Sequence, residues 1–417
     1  MPHWFRFAYS LLWLPTLLFA LIRLWRKGRG HAGYRAHWRE RLALDLPVGP
    51  FDLWIHAVSV GEARAMMPLL AALEGGAKPA ARVLVTCTTP TGRDTLQGLL
   101  GERATVRYLP FDAPWLLARF FAATSPTLGL LIETELWPGL CDAAHRAGVP
   151  LWLVNARLSE RSARGYARGG ALTRSMLSCL TGIAAQTEAH AERFRSLGAL
   201  RVSVTGNIKF DLAIDEETAA NAAVLATHLA PLRAFWVAGS TRDGEEALLL
   251  DALATHPLRQ RAVAVVVPRH PERWSSAVEA AVARGFNVAR RSDAAIPANV
   301  ELIVGDSMGE MLAYYGQAAA VVMGGTLGGT GGQNLIEPCA MGVPVVLGPS
   351  VFNFQQAADE AVNVGAAVAV PHAEAALDAV LHWLDNAPER ARAAAKAINF
   401  ANAHRGATAR TVGLLGR

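Results

Sequence analysis

Cysteine is scarce in this chain: of 417 residues only Cys87, Cys141, Cys179 and Cys339 are cysteine, far apart among apolar or small neighbours. That excludes a disulfide framework and a structural zinc spacing, and leaves each as a small core residue in a reducing compartment. Charged residues are also few, 18% against 52% hydrophobic, which argues against disorder and supplies enough apolar material for two packed domains. There is no P-loop, no G-x-G-x-x-G fingerprint in its proper context, no His/Cys cluster or Asp-x-Asp in a metal-site setting, and no repeat at a solenoid period. No metal site and no cofactor are therefore expected.

Acidic residues are almost absent from the N-terminal end. Residues 1–41 hold eight cations, Arg6, Arg23, Arg26, Lys27, Arg29, Arg35, Arg39 and Arg41, against the single acid Glu40, whereas the remainder has 32 basic and 34 acidic residues. The net charge of +5 thus belongs to one end of the chain and not to a nucleic-acid-binding face. An uncharged run rich in Leu, Phe and Trp, Phe7 to Ile22, also lies there, and as a helix its sixteen residues span roughly 24 Å, short for a full crossing. Trp4, Trp13 and Trp25 suit membrane interfaces, and the cations that follow suit the cytoplasmic side. A membrane anchor or monotopic helix is predicted, with Pro15 fitting a kinked or interfacial segment. A cleaved signal peptide is a second reading, opposed by an n-region with only Arg6 and no clean small-x-small site, and a buried core helix is a third.

Past this segment, short apolar runs alternate with amphipathic stretches such as Gly61–Leu73 and Pro138–Ala147. Strands are predicted at Asp52–Val58, Arg82–Thr86, Val106–Leu109, Leu128–Ile132, Leu151–Val154, Gly182–Ala185 and Val202–Val204. The texture resumes at Phe235–Ala238, Ala262–Val267, Asn287–Ala289, Val300–Val304, Ala320–Met323 and Val343–Leu347. This predicts an α/β protein with two Rossmann-like, doubly wound domains. Residues 1–47 form the anchor and basic juxtamembrane segment, 48–210 the first domain, 211–234 a linker rich in Ala, Asp and Glu, and 235–417 the second domain.

Open parallel sheets bind ligands at the carboxyl ends of their strands, so the loops there are where chemistry is expected. In Ile55-His56-Ala57-Val58-Ser59-Val60-Gly61-Glu62, an apolar strand breaks into a small-residue turn and Glu62 opens a helix. The positive end of the helix dipole predicts an ionised carboxylate, available as a proton acceptor; the plainer reading is a helix-start Glu that merely suits the dipole. Ile132-Glu133-Thr134-Glu135-Leu136-Trp137-Pro138 puts two carboxylates at a strand end, of which helix capping explains one at best. The glycine-rich turns that start at Gly239 and at Gly324 are predicted to offer backbone N–H groups to phosphate. Glu337, just inside the following helix, suits the two hydroxyls of a ribose, or simply the helix dipole. Arg269, between Pro268 and Pro271 at a sheet edge, suits a phosphate or an anionic sugar, with a solvated loop arginine as the alternative.

Nine motifs stand in order from the anchor to about residue 355: Ser59-Val60-Gly61-Glu62, Thr89-Pro90-Thr91-Gly92, Glu133-Thr134-Glu135-Leu136-Trp137-Pro138, Asn155-Ala156-Arg157-Leu158-Ser159, Thr205-Gly206-Asn207-Ile208-Lys209-Phe210-Asp211, Gly239-Ser240-Thr241, Pro268-Arg269-His270-Pro271-Glu272-Arg273, Gly305-Asp306-Ser307-Met308-Gly309-Glu310 and Asn334-Leu335-Ile336-Glu337. Together they resemble the 3-deoxy-D-manno-octulosonic acid (Kdo) transferases of Gram-negative bacteria, with Gln333 where that family commonly has a histidine. The resemblance implies a GT-B glycosyltransferase that moves Kdo from CMP-Kdo to the lipid A precursor, with inversion and without a metal, at the cytoplasmic face of the inner membrane. It implies Glu62 as general base, Glu133 and Lys209 as transition-state stabilisers, and CMP contacts from Pro268, Arg269, Met308, Gly309, Glu310, Asn334, Leu335, Ile336 and Glu337. The partners implied are CMP-Kdo, the lipid A precursor and inner-membrane lipids, with no nucleic acid. A GT-B enzyme using a UDP-sugar and a non-catalytic nucleotide-binding membrane protein are the two rival readings.

Overall fold

A computed structural model describes residues 3–29, 32–76, 82–211 and 234–416, with residues 224, 225, 227 and 229 between them. The linker read at 211–234 therefore lies mostly outside the described residues. The chain divides into two compact units, Met1–Asp211 with Arg405–Arg417, and Leu212–His404.

Runs of Val, Leu and Ile with no polar face can be strands only where both faces of a sheet are covered, and that is what they become. In the first unit these are β1 Leu53–His56, β2 Val83–Cys87, β3 Ala104–Tyr108, β4 Gly129–Ile132, β5 Leu151–Ala156, β6 Gly182–Ala185 and β7 Val202–Val204. All pair in parallel, in the order β3-β2-β1-β4-β5-β6-β7. One face buries Trp54, Phe120, Leu131 and Leu153, the other Ile55, Leu69, Leu70 and Leu130. Each such side chain contributes about 1.5–3 kcal/mol relative to exposure. The order reverses between β1 and β4, which opens a crevice at their carboxyl ends.

The second unit repeats the plan with β8 Phe235–Thr241, β9 Val263–Pro268, β10 Val288–Arg290, β11 Leu302–Val304, β12 Val321–Met323, β13 Val345–Leu347 and β14 Ala367–Ala369. Its order is β10-β11-β9-β8-β12-β13-β14, and the reversal falls between β8 and β12. Thirteen of these fourteen strands overlap the predicted runs. The exception, β14, is three residues in an alanine-rich stretch that follows a helix.

The last helix does not belong to the domain read at 235–417. Residues 405–417 return to the first unit, where the Asp211 carboxylate accepts the backbone N–H of Gly406 at 2.6 Å and of Thr408 at 2.5 Å. Arg410 Nε donates to the Thr205 carbonyl at 2.7 Å, and Ala407 packs with Ile208 and Ala65. The N-terminal helix, His3–Lys27, is long and apolar enough to cross a membrane, and none of its most apolar stretch is buried inside the protein, which removes the core-helix reading.

Candidate active site

Glu62 occupies the third position of the helix Val60–Ala65, at the carboxyl end of β1. Ser59 caps this helix: its hydroxyl accepts the Glu62 N–H at 3.4 Å and donates to Oε1 at 3.1 Å, while the Val58 N–H donates to Oε2 at 2.7 Å. The reciprocal arrangement is a variant of the capping box and fixes the carboxylate. Thr89 Oγ1 donates to the Val58 carbonyl at 2.9 Å, so the hydroxyl-rich loop after β2 holds the turn from behind.

The expectation that Glu62 stays ionised is overturned. It is only 9% exposed, and burial pushes its pKa from 4.5 up to about 7. The Val58 N–H opposes the rise, and the charges of Glu133 and Glu135 add to it. The hydrogen bonds at the helix start, from Val58 and Ser59, do not offset that loss of water. The result is a carboxylate poised near neutral pH, as general-base catalysis favours. His56, two residues before the turn, is no rival: it is fully buried, burial pushes it down to about 4, and its Nδ1 lies 2.9 Å from Thr86 Oγ1.

Across the switch point, Glu133 follows β4 with a left-handed backbone, φ 62°, and is 2% exposed. Lys209 Nζ lies 2.6 Å from its Oε1 and Arg157 Nε 2.8 Å from its Oε2. Burial alone would raise this carboxyl, but Lys209 and then Arg157 outweigh it and hold it below the ordinary range. Two neighbouring carboxylates are thus driven apart, Glu62 up and Glu133 down, a separation typical of sites with divided acid–base roles. Lys209 is placed by a short turn in which Asn207 Oδ1 accepts its N–H at 3.0 Å, and Asn155 Oδ1 accepts that of Ile208 at 3.1 Å. Asn155 also has positive φ, 52°; such strain in non-glycine residues clusters at functional sites. Glu135 receives the Trp137 indole N–H at 2.7 Å, and burial raises its pKa. Glu62, Glu133 and Lys209 are therefore one constellation, joined by Arg157, whose role the sequence did not single out.

In the second unit the predicted donor contacts follow the carboxyl ends of β9, β11 and β12. Arg269 follows β9, its N–H donating to the Thr241 carbonyl at 3.0 Å. Buried Tyr315 feels the charges of both Glu337 and Arg269, which brings those two residues to one place. Asn334 Nδ2 donates to Glu337 Oε1 at 3.1 Å, and Asn334 Oδ1 accepts the Ile336 N–H at 3.2 Å. Glu310 accepts from Arg291 at 3.0 Å and from the Ser307 hydroxyl, next to Gly309 with φ 83° and an exposed Met308. Pro268, Leu335 and Ile336 are buried, so their side chains form the floor and only their backbones can face a ligand.

The glycine-rich loops correct a second expectation. The buried Glu245 carboxylate, on the helix after β8, accepts the N–H groups of Gly325 at 2.6 Å, Leu327 at 2.9 Å and Gly328 at 3.1 Å, besides that of Arg242 at 2.7 Å. The Gly331 N–H goes to Ser350 Oγ and that of Gly332 to the Gly325 carbonyl. Those groups are spent on holding the loop. Gly324 is required there, since a Cβ would lie 2.2 Å from the Ser240 carbonyl oxygen.

A family model described as 3-Deoxy-D-manno-octulosonic-acid transferase (kdotransferase) matches residues 36–212, and one described as Glycosyl transferases group 1 matches residues 288–400. A 3-deoxy-D-manno-octulosonic acid transferase of Bordetella pertussis is 38% identical over 416 residues, 94% of each chain. One of Haemophilus influenzae is 34% identical, covering 88% of this chain and 87% of that one. Among solved structures, a UDP-GlcNAc 2-epimerase from Neisseria meningitidis aligns with a TM-score of 0.61 at 15% identity, covering 88% of this chain and 99% of that one, a likeness of fold alone. With two parallel seven-stranded sheets in the GT-B plan and relatives matched along nearly its whole length, the chain belongs to the 3-deoxy-D-manno-octulosonic acid (Kdo) transferase family of glycosyltransferases.

Proposed function

We propose that the enzyme transfers Kdo from CMP-Kdo to the lipid A precursor, with inversion and without a metal, at the cytoplasmic face of the inner membrane. The observation that carries the reading is Glu62: a buried carboxylate with pKa about 7, fixed by Ser59 and Val58, beside a Glu133 kept ionised by Lys209 and Arg157. Glu62 takes the proton of an acceptor hydroxyl as its oxygen forms the bond to the anomeric carbon. The bond from that carbon to the phosphate oxygen breaks, and CMP leaves with the electron pair. Displacement from one side needs one carboxylate on the attacking face and gives inversion. Glu133 and Lys209 meet the charge that develops on the sugar, a fixed pair that needs no reorganisation during reaction.

Arg269, Asn334 and Glu337 bind the nucleotide in the second unit. Since most N–H groups of the loop 324–332 are committed to Glu245, Ser350 and the loop itself, the leaving phosphate is met mainly by side-chain cations, Arg269 first. No group of three or more His, Cys, Asp or Glu that could hold a metal ion occurs among the described residues. The apolar N-terminal helix and the basic residues after it hold the chain at the bilayer that carries the acceptor's acyl chains. A donor panel of CMP-Kdo and UDP-sugars tests this: release of CMP with CMP-Kdo alone is expected. Turnover of a UDP-sugar, or CMP binding without turnover, would overturn it.

A further inference from the structure

The N-terminal helix does more than present an apolar surface. Phe5, Tyr9 and Trp13 lie four residues apart on one face, their rings 5.8 and 6.4 Å apart in succession, and Trp13 continues to Phe111 at 6.2 Å. Next to Phe111 is Asp112, a carboxylate 8% exposed, and Tyr9 Oη donates to its Oδ2 at 2.5 Å. The other donors to that carboxylate are the N–H groups of Gly139, at 3.0 Å, and Leu140, at 2.7 Å. These open the helix Pro138–Arg146, so Asp112 is its cap, supplied from more than twenty residues away. The approach is close: a Cβ on Gly139 would lie 2.4 Å from the Asp112 carbonyl oxygen. The residue before this helix is Trp137, whose indole N–H holds Glu135, and the Glu135 charge acts on Glu62.

We propose that the N-terminal helix is a positioning element of the active site as well as an anchor: Tyr9, through Asp112, fixes the start of the helix Pro138–Arg146 and with it Trp137 and Glu135 beside Glu62. The inference rests on the transfer reaction above for its kinetic consequence. Three donors share one buried carboxylate, and removing the Tyr9 hydroxyl leaves that carboxylate short of a partner. The segment Glu133–Leu140 then loosens at the end that carries the reacting groups. Tyr9 acts only through Asp112.

The test uses the full-length protein in detergent micelles with CMP-Kdo and a dispersed tetraacylated acceptor, where anchoring is not needed for encounter. Tyr9→Phe keeps the ring and removes the donor. Its kcat should fall about threefold to thirtyfold, less than the order of 10² that follows a 1 Å misplacement of a reacting group. KM for CMP-Kdo should stay unchanged, as should retention on membranes after a carbonate wash. Phe7→Leu, on the exposed face of the same helix, should match the wild type, and deletion of residues 3–27 should lower kcat at least as far as Tyr9→Phe. Exchange of the Gly139 and Leu140 amides should be about tenfold faster in Tyr9→Phe. Wild-type kcat and exchange in Tyr9→Phe would overturn the proposal, and so would a loss that appears only together with lost membrane retention. If the wild type turns over no donor, the transfer reading fails, and the exchange difference still decides the coupling.

Discussion

Replacing Glu62 with Gln removes the proposed base while keeping its size, and two measurements should move in opposite directions. Loss of a general base costs on the order of 10² to 10⁴ in rate, or about 3–5 kcal/mol of transition-state stabilisation. Stability should change the other way. The carboxyl is displaced from 4.5 to about 7 by burial, worth about 3 kcal/mol between its two protonation states. Below pH 4.5 it is protonated in the folded and the unfolded chain, and folding carries no penalty from it. As pH rises from 4.5 to 7 the unfolded chain releases its proton first, so the fold loses about 3 kcal/mol, and above pH 7 that loss is complete. Gln cannot ionise, so the variant should gain on the wild type by about that amount between pH 4.5 and 8. Urea unfolding of both proteins at pH 5 and pH 8, read as the difference between them, measures it. The wild-type rate should climb with pH to half its maximum near pH 7. Near-normal turnover in Glu62→Gln, or a stability gap that does not change with pH, would refute the assignment.

Lys209→Ala should destabilise the first unit by up to about 3–5 kcal/mol at pH 7, because it leaves the buried Glu133 with Arg157 alone. Glu133 is held below its ordinary value, so this contribution is present at neutral pH and shrinks as pH falls below about 4.5; unfolding at pH 7 and pH 4 checks both points. Gly92→Ala should cost about 1–3 kcal/mol and lower kcat without changing the KM for the donor, since the new Cβ would lie 2.8 Å from the carbonyl of Val58, whose N–H holds Glu62. Arg269→Ala should raise the KM for CMP-Kdo more than Arg269→Lys does, and EDTA should leave the wild-type rate unchanged; an enzyme silenced by EDTA and restored by Mg²⁺ would contradict the second half.

The sheets were readable because their strands are buried on both faces, which demands short runs of Val, Leu and Ile bounded by turn residues. Glu62 was readable for a local reason: the strand, the small-residue turn and the cap Ser59 are contiguous. Its protonation was not, because the groups that set it include Glu133 and Glu135, some seventy residues on. The commitment of the loop at Gly325–Gly328 was hidden in the same way by Glu245, which acts across eighty residues. The last helix joins the first unit through Asp211 and Thr205, contacts that no pattern within residues 405–417 announces. Tyr9 read as one more aromatic in an apolar run, and only its partner Asp112 distinguishes it. Helix starts and strand cores are short-range facts, and pairings between distant charges are not.

The proposed reaction makes a new bond between Kdo and a lipid acceptor, with Glu62 as base. Mass spectrometry of the lipid product, after incubating the full-length enzyme with CMP-Kdo and a tetraacylated lipid A precursor, tests it most directly. The wild type should give an acceptor heavier by whole Kdo residues, and Glu62→Gln an unchanged acceptor over the same period. An unmodified acceptor with the wild type, or equal product from both proteins, would contradict it.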